Sequence, residues 1–286
     1  MKGLLRSSLI ALATTACLFG DVTYEQNVRY TGGTMLNILR KMANNPMLGG
    51  SGLQAQLQDQ KFTVYLKGPK MARLGNTASL IYDLDAGTIT TVNNTQHTYS
   101  VMTFEQMRQT AEHVQERADR GAKTDVDFNV GVEKPGHTRD VNGQTAHEAL
   151  ITLTSKSGGP DGQMVVKADA WLVPLSPSTR EVIDYSNRLS AKFGEAFSGS
   201  PMLGAASAGI GAAMKEAAKL DGYSMLTNID VSGVSSPMLS AMGSANNDAN
   251  APLIQMEIES SKFTAGRVDD SKFTLRAGYT EQPHRR

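Results

Sequence analysis

Thiols are almost missing from this chain: its 286 residues include one cysteine, Cys17. Nothing after that position can form a disulfide, a thiolate metal site or a cysteine nucleophile. An excess of charge of either sign is also missing, with 28 Lys and Arg balancing 28 Asp and Glu. No broad field therefore exists to attract nucleic acid or an anionic membrane surface. Long hydrophobic runs are lacking too. The uncharged stretch from Ser7 to Gly20 is shorter than the roughly 20 residues that span a bilayer. The uncharged run from Phe197 to Met214 is diluted by Gly, Ser and Ala, so no transmembrane span is expected in the mature chain. Tryptophan occurs once, at Trp171.

The amino terminus has what an export signal needs. Lys2 and Arg6 precede the short apolar stretch, and small residues lead up to Asp21. Residues 1–20 are expected to be a signal peptide, and 21–286 a single exported domain, periplasmic or secreted. Cys17 opens an alternative, in which it becomes the lipid-modified end of an anchored lipoprotein. Thr14 occupies the position where lipoprotein signals favour Leu, and only Leu18, Phe19 and Gly20 would separate the lipid from Asp21. Cleavage near Gly20 is the favoured reading.

Alternation of period two dominates the rest. Phe62, Val64 and Leu66 alternate with polar neighbours, as do Leu80, Tyr82 and Leu84, then His97, Tyr99 and Val101, then Val126, Phe128, Val130 and Val132. Further strands are expected over His147–Thr154, Met164–Val173, Tyr223–Val231, Leu253–Glu259 and Phe273–Tyr279. Asp85, Ala86 and Gly87 suit one hairpin connection, and Asn142-Gly143 another. Two helices are marked by capping boxes. Thr103 with Gln106 opens the first, whose stripe is Phe104, Met107, Ala111, Val114 and Ala118. Ser178 with Glu181 opens the second, with Val182, Ser186, Leu189 and Phe193 on one face. The expected class is α+β: a curved antiparallel sheet of about ten strands, an open half-barrel, with the helices packed over one face.

Catalytic and metal motifs fail residue by residue. His97, His113, His137, His147 and His284 form no pair with ligand spacing, and His147-Glu148 meets Ile151 where a zinc-protease motif needs a second His. In the calcium-loop-like run from Asp125, Val130 stands at the glycine of the sharp turn. Ser207 lacks the glycine at position 205 of a nucleophile elbow, and no phosphate loop is complete. The chain reads as a non-enzyme without cofactor or metal.

One class of segment is unusual. Pro-Met-Leu recurs at Pro46–Leu48, Pro201–Leu203 and Pro237–Leu239, each time among small residues, within insertions near 34–56 and 197–250. Methionine is pliable and polarizable, so Met47, Leu48, Met202, Leu203, Ile210, Met214, Met238 and Leu239 are candidate lips of an apolar cleft. Core filling by the same residues is the competing reading. Trp171 joins the candidates as a large side chain able to stack on a ligand.

Tyr65–Gly68 with Lys70–Leu74, Leu80–Asp85, His97–Tyr99, Arg139–His147, Ala170–Val173 and Phe273–Tyr279 together resemble a family. It is a set of secreted bacterial domain-of-unknown-function proteins grouped with the LolA/LolB-like lipoprotein carriers. The resemblance spans roughly residues 22–280 and implies a half-barrel able to accept acyl chains. A hydrophobic small molecule or lipid, or a lipoprotein, is the partner it implies. The expectation is an exported binding protein that holds such a ligand between sheet and helices. An envelope structural or protein-interaction module is the alternative.

Overall fold

The computed structural model describes residues 20–43, 58–110, 128–155, 163–197, 219–232 and 251–282. Two antiparallel meanders form most of it. The first starts with β1 (Val22–Gly32), crosses to β2 (Gln60–Lys67), and continues through β3 (Lys70–Gly75), β4 (Ala78–Asp83), β5 (Thr88–Asn93) and β6 (Thr98–Thr103). The second holds β7 (Phe128–Glu133), β8 (Thr138–Val141), β9 (Gln144–Ser155), β10 (Val165–Val173), β11 (Tyr223–Ser232) and β12 (Ile254–Ala265). β12 pairs with β1, so the two meanders fuse into one 13-stranded sheet. Its last strand, β13 (Thr280–Glu281), runs parallel to β6 at the far edge.

Helices are few. α1 (Thr34–Ala43) follows β1, and α2 (Pro177–Phe197) follows β10. Residues 104–110 are also helical. None of the described helices is long and apolar enough to cross a membrane. This corrects the expected ten-strand half-barrel with helices covering one face: the sheet is open and mixed, and larger than expected. The physical reason lies in short polar strands and late pairings. β5 reads Thr-Ile-Thr-Thr-Val-Asn and offers little alternation, while β13 exists only because a distant edge accepts it. Phe273–Tyr279, expected as a strand, instead begins in a 3₁₀ turn over Asp270–Phe273 and continues as an irregular strap.

Local chemistry explains the elements that matter for the site. In the β4–β5 hairpin, Asp83 Oδ1 accepts from the backbone N–H groups of Asp85 and Ala86, and Gly87 takes the positive φ that closes the turn. Asn142 and Gly143 both have positive φ between β8 and β9, as a type I′ hairpin requires. The Thr103–Gln106 box is complete in both directions: Gln106 N–H donates to Thr103 Oγ1 at 3.0 Å, and Thr103 N–H donates to Gln106 Oε1 at 2.8 Å. The box of α2 lies two residues earlier than expected. Ser176 and Thr179 exchange side-chain and backbone bonds, with Pro177 at the first helical position, where its missing N–H costs nothing.

Three bulges shape the core. In β12 an extra residue at Lys262–Phe263 breaks the register with β1, and Lys262 takes a positive φ of 57°. Phe263 thereby stacks on Tyr24, with ring centroids 4.8 Å apart, and meets Tyr223 edge-on. A second register shift in this pair falls between Tyr30 and Gly32. A third bulge, opposite Trp171 and Leu172, puts an extra residue into β11, which lets the adjacent Met225 and Leu226 both be buried.

Candidate functional site

The row structure of β1–β4 creates the site. On the face beneath α2, Val22, Leu66, Met71 and Tyr82 are cross-strand neighbours in one row, and Tyr24, Val64, Arg73 and Leu80 in the next. Val22, Val64 and Leu66 are no more than 1% exposed. α2 closes this layer with Val182, Tyr185 and Leu189, spaced to fall on one stripe, and Phe104 packs against the same cluster. Burial of these side chains, at roughly 1.5–3 kcal/mol each, holds the helix to the sheet.

Arg73 is the exception in that layer. Alternation along β3 aims it inward with Met71. Gly75 lies opposite Phe62 and has no side chain to obstruct the ring, so the guanidinium rests over Phe62 with its central carbon 4.6 Å from the ring centroid. Its Nε is buried and has no hydrogen-bond partner. Among the described residues no carboxylate pairs with this arginine. Tyr185, 1% exposed, likewise has a hydroxyl without a partner. Each unmet group costs about 1–3 kcal/mol of desolvation.

The electrostatics follow from burial. Desolvation pushes the phenols of Tyr24, Tyr82 and Tyr185 up, and Arg73 partly offsets the rise at Tyr24 and Tyr82. All three stay protonated donors at physiological pH. At the margin, burial also raises the Glu181 carboxyl, against the opposing pull of Arg188 at 3.6 Å. Arg188 donates to the Gly68 carbonyl at 3.1 Å and lies over the Tyr185 ring, so it ties α2 to the β2–β3 turn. The layer thus offers an unmet guanidinium N–H and a phenol within an aromatic and aliphatic surround. That chemistry favours an acceptor oxygen joined to an apolar body, and it provides no general base beside a nucleophile. Among the described residues no cluster of His, Cys, Asp or Glu could hold a metal ion.

Of the ligand-lip residues expected from sequence, only Trp171 is described. It is half-buried in a separate cluster with Val141, Val173 and Leu226. Its Nε1 donates to Asp169 Oδ2 at 3.2 Å, and the Arg139 guanidinium lies 4.9 Å from its ring centroid. Met47, Leu48, Met202, Leu203, Ile210, Met214, Met238 and Leu239 lie outside the described residues, as do Cys17 and the rest of the expected signal. Arg73, Tyr82 and Tyr185 were missed as functional candidates. β3 alone gave no usable signal, since its one buried residue is Ala72, of the opposite parity to Arg73, and the cross-strand pairing with Val64 is what puts Arg73 in this layer. No known protein family matches the chain, and no curated protein is detectably similar to it.

Proposed function

We propose that this is an exported, non-enzymatic binding protein that takes a hydrophobic ligand with a polar or anionic head, such as an acyl chain or a lipidated partner, between its sheet and α2. One observation carries the reading: the buried Arg73 Nε and Tyr185 hydroxyl have no partner inside an otherwise apolar layer. Ligand oxygens would satisfy them, and the ligand's hydrocarbon would replace side-chain contacts with α2. The likeness to LolA/LolB-like carriers and the export signal belong to the same proposal.

The test is native mass spectrometry of protein purified from its own envelope, followed by titration of the delipidated protein with a fluorescent fatty acid. Bound lipid is expected in the wild type. Tyr185→Phe removes an unsatisfied hydroxyl, so it should leave the ligand-free protein equally stable or up to about 1 kcal/mol more stable while weakening fatty-acid binding. Arg73→Met should weaken binding further. Wild-type protein recovered without lipid and indifferent to fatty acid would overturn the proposal.

A further inference from the structure

The opposite face of the same strands is crossed by the carboxy-terminal strap. After β12 the chain turns over the end of β1, where Asp21 Oδ2 accepts from the Val268 N–H at 2.8 Å and Val268 is 4% exposed. Lys67 fastens the next turn through the Val268 carbonyl at 3.1 Å and Asp270 at 2.8 Å. At the other edge the Tyr279 hydroxyl donates to Asn94 Oδ1 at 3.0 Å, and the Thr280 and Gln282 N–H groups donate to the His97 and Tyr99 carbonyls. Between these two anchors the strap stands off the sheet and roofs a cleft of about 740 Å³, a volume ordinary for a small-molecule site.

The lining of the cleft is asymmetric in charge. Its floor is the row Thr63, Leu74, Ser79 and Val92, with Tyr65 and Ile81 beside it. Lys272 and Arg276 project from the roof, and His97 stands at the end. Among the described residues no Asp or Glu lines it. Of the nearby acids, Asp270 pairs with Lys67, and Asp269 accepts from the Ser271 N–H and also feels the charges of Lys272 and Lys67. Lys272 rests over the Tyr65 ring at 5.2 Å rather than on a carboxylate. Asn94 is held as a fixed strut, donating to the Gly75 carbonyl at 2.7 Å and to Ser79 Oγ at 2.9 Å.

We infer that this cleft binds a phosphate monoester, its dianion set between Lys272, Arg276 and His97 and its hydroxyl-bearing body against the Thr63–Ser79 floor. Among the described residues no carboxylate forms an ion pair with these two permanent cations or the imidazole, which favours a dianion, and the hydroxyl and amide lining favours a polar body over a hydrocarbon one. The phosphate could belong to a soluble sugar phosphate or to a lipid headgroup. The cleft lies on the other face from Arg73, so it stands or falls independently of the acyl-ligand proposal.

Isothermal titration of the full chain with glucose 6-phosphate, and co-sedimentation with phosphatidylcholine vesicles with and without phosphatidic acid, test the inference and separate the two sources. Saturable binding of either phosphomonoester is expected, with no binding of glucose or of pure phosphatidylcholine. Arg276→Gln and Lys272→Gln should each weaken it by about tenfold or more, and the double variant should abolish it. Arg29→Gln, on β1 and outside both sites, should bind as the wild type does. Arg276 is exposed, so its replacement alone decides the matter if Lys272→Gln loses stability. Absence of binding to both phosphomonoesters at millimolar concentration, or unchanged binding in Arg276→Gln, would overturn the site.

Discussion

The two faces of β2–β5 are made by alternate residues of the same strands, yet they solve different problems. One face packs an apolar layer against α2 and carries a half-buried arginine whose Nε has no partner. The other is covered by a strap fixed at its two ends, with cations around an open cleft. Neighbouring residues in β3 show the division: Arg73 lies under the helix and Leu74 under the strap. Continuous apolar packing therefore stabilises one side, whereas a few directed bonds at the margins shape the other. Damage to the first should be global, and damage to the second local.

Leu66→Ala should break the comparison most severely. Leu66 is 1% exposed in the layer beneath α2, and its truncation should cost about 2–5 kcal/mol, read as a lower denaturant midpoint with unchanged slope. Asn94→Ala tests the strapped face. It removes two donated bonds and the acceptor for Tyr279, and should cost about 1–2 kcal/mol. Amide exchange should speed up selectively over residues 270–282 while the strands under α2 remain protected. Equal loss of protection on both faces would erase the distinction.

Glu181→Gln sharpens the comparison by the smallest amount. Burial raises this carboxyl in the folded protein, so the folded state holds its proton more tightly than the unfolded state does. The stability linked to this group is present at low pH and falls as pH rises from the ordinary glutamate value through the raised one. The Gln variant should lose that dependence, and urea midpoints measured across the acid range should diverge from wild type as pH increases. Parallel curves would show that Arg188 compensates the burial fully.

Much of the sheet was legible because burial on one face imposes period two. β2, β9 and β10 read clearly for that reason, and local bonding made the Thr103–Gln106 cap and the Asn142-Gly143 turn readable. Features set by distant partners were hidden. α1 fell in a segment read as an insertion, although its entry is fixed by Thr34 N–H donating to the Pro252 carbonyl far along the chain. Nothing local in Met225-Leu226 announces a bulge, because the register shift is set against β10. The candidate site was hidden for a related reason. An arginine in a strand usually marks the wet face, and only the pairing of Arg73 with Val64 places it under α2.

The pairing of β1 with β12 has a kinetic consequence. Val22 meets Ala265 in the middle of the sheet, so β1 waits for a strand made much later. β1 cannot gain this second neighbour until residues 254–265 exist, and loop-closure entropy delays that contact further. Folding should therefore be slow, with β1 bordered on one side only until β12 is made. A holding chaperone that shields this unpaired flank would be expected to raise the yield of native protein.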